Sequence, residues 1–360
     1  MKQNTYKYET SVRHVRSAGF TVVELLIALT LALVLMGGVV QVVTTSSSSY
    51  GQLVQQGRLQ ESAKLAMDYI TREVRNVGFW GCNGQRIQIA NALDKSKENY
   101  FDPNDALWGF KVGGTGQPTY ASGGDPYEDA VSGSSVLVLR LLDIDSSLQV
   151  TGHQVSPQGT GGSAKLELSE EHGYDKGQVF TVVDSDCSNV GIFAQNNANI
   201  NDTLSIIAHN PGSGQDVTNC TKALKGNFDC DDESGALYQP YSVGSHVYAV
   251  RSIAFVLKPV SSGSSINALH LVDLEATSGT NTQLVEGVKS LSIKYGLDTD
   301  SDGNVDLYVS DEKLNADSNL DWTMAIAMQV DVTTQGLESV GTLTFEEDFS
   351  TVIRLRNRGI

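Results

Sequence analysis

From Leu25 to Val43 the chain carries no charged residue, and only Thr30 and Gln41 are notably polar. At about 1.5 Å per helical residue, those 19 residues cross most of a ~30 Å hydrocarbon core. Ahead of the run stand Lys2, Lys7, Arg13 and Arg16 against a single acid, Glu9. Positive charge on that side predicts that the leader stays in the cytoplasm while the remainder is exported. An ordinary secretory signal is cut after its apolar run, and Ser46–Ser49 offer small residues there. A cut before the run instead leaves the apolar helix on the mature protein as its membrane anchor. The two alternatives differ in whether the mature chain keeps a foothold in lipid.

The string Ser17-Ala18-Gly19-Phe20-Thr21-Val22-Val23-Glu24-Leu25-Leu26-Ile27-Ala28 resembles the signal of type IV prepilins, with Gly before the cut, Phe after it and Glu at the fifth mature position. The resemblance implies cleavage between Gly19 and Phe20 by a prepilin peptidase, followed by N-methylation of Phe20. It also gives Glu24 a role. A carboxylate in the first turns of a membrane segment is costly unless it finds a partner, and cleavage creates an α-amine on Phe20, four residues away. In a packed filament, Glu24 of one subunit is expected to pair with the Phe20 amine of its neighbour.

Leu59, Ala63, Ala66, Ile70, Val74 and Val77 recur at steps of three and four, so the helical pattern continues past the membrane run. Glu61/Lys64, Lys64/Asp68 and Asp68/Arg72 are placed to pair on its exposed side. Gly37-Gly38 and Ser46–Ser49 are points where it is expected to bend or loosen, and Gly78 and Gly81 end it. A helix from Phe20 to about Val77 is roughly 85 Å long. Residues 83–133 read as an extended loop region. From Ser134 short β-like runs follow, separated by turn residues: 136–142, 165–168, 179–183, 204–208, 247–257, 269–272, 285–295, 325–332, 342–345 and 351–355. With no long amphipathic helix among them, a mostly antiparallel sheet is expected rather than βαβ units. The predicted fold is α+β and pilin-like: a long N-terminal transmembrane helix packed on a large, mostly antiparallel β-sheet domain. Residues 1–19 form the leader, 20–77 the helix (membrane-embedded to about 43), and 78–360 the exported domain.

The formal net charge of −17 keeps such a domain soluble and repels phosphate backbones. Arg354, Arg356 and Arg358 alternate along the C-terminal run and would share one strand face, but a solvated face pairing with the domain's acids explains them better than nucleic acid does. The sequence holds no HExxH, GxSxG, P-loop or dinucleotide fingerprint, and its histidines are dispersed, so no enzyme is expected. The four cysteines, Cys82, Cys187, Cys220 and Cys230, form no CxxC. In an oxidising compartment they suggest two disulfides, of which three pairings are possible. Cys220–Cys230 would close a short acidic loop, and Cys82–Cys187 would tie the helix end to the sheet.

Further along, Gly78-Phe79-Trp80-Gly81-Cys82, Tyr295-Gly296-Leu297-Asp298 and Arg354-Leu355-Arg356-Asn357-Arg358 resemble the PilW type of minor pilin. Glu286-Gly287-Val288-Lys289-Ser290-Leu291, with Trp322 after it, is also similar to the J-type minor pseudopilin of type II secretion, the alternative reading. The PilW resemblance implies a subunit that primes pilus assembly and stays near the tip, in support of twitching motility, adhesion or DNA uptake. Its implied partners are membrane lipid, other minor pilins, the major pilin, a tip adhesin-like protein and the inner-membrane assembly platform. Its implied place is the inner membrane, with the C-terminal domain periplasmic, and then the pilus at the cell surface. A tip adhesin is a third possibility, with 83–133 and 209–245 as its candidate surfaces.

Independently of any resemblance, Asp298, Asp300 and Asp302 stand at alternate positions, with Gly303, Asn304 and Asp306 after them. The pattern matches positions 1, 3, 5, 6, 7 and 9 of an oxygen-ligand calcium loop. Val309 replaces the bidentate Glu at position 12, so weak Ca²⁺ binding is the expectation, against a plain acidic hairpin turn.

Overall fold

The computed structural model describes residues 19–82, 88–96, 106–118, 125–157, 161–196, 205–212, 217–228, 230–274, 280–337 and 345–357. The chain divides into two units, Met1–Val54 and Gln55–Ile360. In the first, helix α1 (Val22–Val74) begins. Thr21 caps it: its Oγ1 accepts the Glu24 amide N–H at 3.2 Å, meeting one of the donors a helix start leaves without a partner. The helix runs unbroken through Gly37-Gly38 and Ser46–Ser49, where loosening was expected. Thr30 and Thr44 return their hydroxyls to the backbone, donating to the Ile27 carbonyl and to those of Val40 and Gln41. The side chains from Leu25 to Val43 are all exposed, as a lipid-facing segment requires.

The second unit takes the rest of α1 and all the described strands. In chain order these are β1 (Gln88–Asn91), β2 (Leu107–Lys111), β3 (Ser135–Gln154), β4 (Lys165–Leu168), β5 (Val179–Val183), β6 (Asn189–Ala194), β7 (Ile206–Ala208), β8 (Lys225–Gly226) and β9 (Ala236–Leu237). Then come β10 (His246–Pro259), β11 (Asn267–Asp273), β12 (Asn281–Glu286), β13 (Val288–Leu297), β14 (Leu307–Ser310), β15 (Ala325–Gln335) and β16 (Glu346–Arg354), with a short helix α2 (Asp311–Ala316) after β14. One ten-stranded sheet has the path β1-β6-β5-β10-β3-β4-β7, with β2 added on β3 and β11–β12 on β10. The long strands β3 and β10 form its spine, pairing antiparallel from Leu137/Phe255 to Gln149/His246. A second sheet, β14-β13-β15-β16, is antiparallel throughout. Among the described strands the parallel pair is β1–β6. The expected antiparallel α+β architecture is what the chain adopts.

Both sheets and the helix share one core. Ala66, Ile70, Val74 and Val77 from the helical stripe pack with Leu137, Leu139, Phe255, Leu291, Tyr295, Met328 and Ile353, all nearly inaccessible. The helix stops at Val74 rather than Val77 because, after Arg75 makes the last i−4 bond to Thr71, the amides turn to i−3 acceptors, Asn76 to Glu73 and Val77 to Val74. Gly78 then takes φ 75°, which favours glycine.

Three further expectations need correction. The region 83–133 is not all loop: it supplies β1 and β2, whose pairing partners β6 and β3 lie far along the chain. The run 285–295 is two strands in different sheets, divided at Gly287 (φ 78°), where an added Cβ would lie 2.9 Å from the Gln335 carbonyl oxygen. The C-terminal strand begins in the acidic stretch Glu346-Glu347-Asp348, while 342–344 lie outside the described residues.

Candidate functional site

Three places carry the residues singled out in the sequence. At the N-terminus, Gly19 and Phe20 precede the helix and are exposed, Phe20 at 82%. Glu24 occupies the first helical turn, also exposed. The basic leader residues lie outside the described residues. Thr21 was not foreseen as a cap, yet the spacing Thr21-x-x-Glu24 is that of a capping box and was readable.

The second place is a brace at the end of α1. Cys82 is joined to Cys187 (Cα–Cα 5.8 Å) and Cys220 to Cys230 (5.7 Å), the pairing expected from the sequence. Gly81, at φ 88°, lets the chain pass so near β5 that a Cβ would lie 2.8 Å from Val183 Cγ2. Cys187 sits in the β5–β6 turn, at φ 61°. In the same turn Asp184 accepts from Lys225 Nζ (2.7 Å), Asn189 Nδ2 (2.9 Å) and Ser188 Oγ (3.3 Å). The Asp184 and Lys225 side chains are only 9% and 10% exposed, and the ammonium lies 4.2 Å from the centre of the Tyr241 ring. Lys225 belongs to the loop closed by Cys220–Cys230, so helix end, hairpin turn and small loop are bound at one spot. That ion pair joins residues 41 apart, which sequence spacing does not signal.

The third place is the acidic β13–β14 connection. The Asp298 carboxylate, buried, accepts the amide N–H groups of Gly303 (2.9 Å) and Asp302 (3.1 Å). Asp306 Oδ2 accepts from the Thr299 amide and hydroxyl at 2.7 and 2.6 Å. Oxygens of Asp298, Asp300 and Asp306 come within 4.8 Å of one another. The Asp302 amide also donates to Asp300 Oδ1 at 3.2 Å, and the Asp302 carboxylate accepts from the Asn304 amide and side-chain N–H groups. Desolvation and then the charges of Asp302, Asp306 and Asp298 push the Asp300 carboxyl above its ordinary range, while the Thr299 hydrogen bonds hold Asp306 below it. Val309, at the twelfth loop position, is buried in β14 and offers no side-chain ligand. Arg354, the last residue of β16, donates to the Gly303 carbonyl at 2.9 Å. Arg356 follows in a turn and Arg358 lies outside the described residues, so no three-arginine strand face forms among the described residues.

Residues 255–352, from the second half of β10 through most of β16 and including the acidic loop, match the family model described as Type IV Pilus-assembly protein W. Over this stretch the chain is PilW-like. The match takes in the Gly287 crossover and nearly all of the second sheet, so the similarity to the pilus-assembly family lies in the C-terminal architecture. It lies wholly apart from the prepilin-like signal, which makes the two resemblances independent. PilW is a pilus-assembly family, and the long apolar helix of this PilW-like chain suits a membrane anchor. No curated protein and no solved structure matched.

Proposed function

We propose that this chain is a minor pilin of a type IV pilus, cut between Gly19 and Phe20, N-methylated at Phe20, and active in priming pilus assembly from within the tip complex. The single observation that carries the reading is the PilW match at one end of a chain whose other end bears a prepilin-like signal. In this reading the chain waits in the inner membrane with its β-rich domain in the periplasm. Other minor pilins, the major pilin and a tip adhesin-like protein then join it through the assembly platform. Glu24 takes the Phe20 amine of a neighbouring subunit as its counter-charge, and the pilus serves twitching, adhesion or DNA uptake.

Deletion of the gene, scored for surface pili and for protein secretion together, is expected to abolish the first and spare the second. The Gly19→Ala variant should accumulate as uncut precursor and fail to restore pili. Glu24→Ala should mature and fold but co-purify poorly with partner pilins, because the neighbour's amine is left unpaired in an apolar setting. Lost secretion with normal piliation would instead assign the chain to a J-like pseudopilus.

The Asp298/Asp300/Asp306 cluster is proposed as a weak Ca²⁺ site, with carboxylate oxygens as hard ligands. Calorimetry on the detergent-solubilised chain should show binding on the order of 10⁻⁴–10⁻³ M, the range of extracellular modules. Asp300→Ala should abolish it, whereas Asp302→Ala, outside the cluster, should leave most of it. No heat and no melting shift at millimolar Ca²⁺ would make the loop a plain acidic turn.

A further inference from the structure

Two histidines that no assembly role uses meet inside the second unit. His153, near the end of β3, places its Nε2 3.0 Å from Nε2 of His209, which follows β7 and is fully buried. The hydrogen bonds fix where the protons are. His153 Nδ1 accepts the Tyr241 amide N–H at 2.9 Å, so the neutral ring carries its proton on Nε2 and donates to His209. His209 must then hold its own proton on Nδ1, a buried atom with no partner among the described residues. Every ring position is thus assigned with both imidazoles neutral. A third proton would set two N–H groups against each other between the rings or set His153 Nδ1–H against the Tyr241 N–H. A metal bridging the two Nε2 atoms meets the same obstacle, because it too would drive the His153 proton to Nδ1.

The pair closes a corner of the ten-stranded sheet. β4 lies between β3 and β7, with His153 opposite Leu166 and Leu166 opposite Ile207. The His209 amide donates to the Ala164 carbonyl at 3.0 Å. The ring contact therefore joins the two strands that flank β4. The charges that face it are cationic: Lys225 acts on His153 and Lys222 on His209. Asp184 faces Lys225 and Tyr241, and on β4 Lys165 and Glu167 pair with each other. His172 touches β7 separately, through the Ile206 carbonyl. Burial first, then Lys225, pushes His153 down to about 4, and burial, His153 and Lys222 push His209 down as well.

We propose that the His153–His209 contact is an acid-released latch, closing the β3–β4–β7 corner at neutral pH and letting it open when either ring is protonated. The sign follows from linkage. The unfolded chain takes up these protons near pH 6.5, while folded His153 does not until about 4. The latch is therefore fully effective above pH 6.5 and is lost progressively as pH falls towards 4. At pH 5 the loss is about 30-fold in the closing equilibrium for His153 alone.

Hydrogen exchange on the full chain in detergent, corrected for intrinsic rates, would test this at pH 7.5 and 5.0. Protection at Lys165–Leu168 and Ile206–His209 should fall at least ~30-fold, with little change in β13 and β15. The His153→Gln/His209→Gln variant should lose most of that pH dependence. An equal fall in the double variant would move the effect to His172 or the carboxylates and overturn the latch. If that variant does not fold, titration of the wild-type imidazole NMR signals decides instead. Either His153 or His209 titrating above pH 6 would overturn it, and both remaining neutral to below pH 5 would support it.

Discussion

Lys225→Met is expected to destabilise the β-rich domain by about 3 kcal/mol, the lower end of the range for breaking a buried ion pair. The lost methylene packing is small in that substitution, and the cost arises from Asp184, whose carboxylate stays buried without its cation. Asn189 and Ser188 still donate to it, which is why the upper end of the range is not reached. Asp184→Asn together with Lys225→Met removes both charges and should recover most of the loss. Urea unfolding of the detergent-solubilised chain, followed by near-ultraviolet circular dichroism, measures both. A loss below about 1 kcal/mol in the single variant would place the pair among those contributing little, as exposed pairs do.

The Cys82→Ser/Cys187→Ser variant is expected to lose more, about 4–5 kcal/mol by loop-closure entropy for partners 105 residues apart. The Cys220→Ser/Cys230→Ser variant, with partners 10 apart, should lose about 2–3 kcal/mol. The ranking is the sharper test, because it depends on loop length and not on any local contact. The same urea titration, run without reductant, gives both values. A larger loss for the short bridge would show that enthalpic strain or residual structure, rather than chain entropy, sets the stability here.

What could be read in the sequence follows from the range of the forces involved. The apolar run and the stripe from Leu59 to Val77 are local patterns, and both appear in α1 and its buried face. Lys165–Leu168 and Val179–Val183 were placed to the residue because turn residues bound them on each side. β1 and β2 were missed because four or five residues with mixed character become strands only when distant partners supply their hydrogen bonds. The split at Gly287 was hidden for a related reason: an apolar run does not reveal that its halves enter different sheets. In the acidic loop, alternate spacing put Asp298, Asp300, Asp302, Asn304 and Asp306 in one turn, and the fold brings carboxylate oxygens of Asp298, Asp300 and Asp306 within 4.8 Å of one another. The turn that does this, with Ser301 and Gly303 at positive φ, is tighter than spacing alone reveals. Lys225 with Asp184, and His153 with His209, carry no spacing signature at all, since their proximity is a product of the finished sheet.

The Cys82–Cys187 bridge also fixes how the domain bears mechanical load. Tension drawn along α1 reaches Cys82 and crosses the sulfur atoms to Cys187 instead of continuing along the main chain. Everything between the two cysteines, including β1 to β5, therefore hangs as a slack covalent loop and carries no force on its way to any point beyond Cys187. Pulled by its helix, the chain can be extended only through the part of its sheets that starts at β6. With the bridge reduced, the same pull would pass instead into the main chain beyond Cys82, and β1 to β5 would come under load before β6.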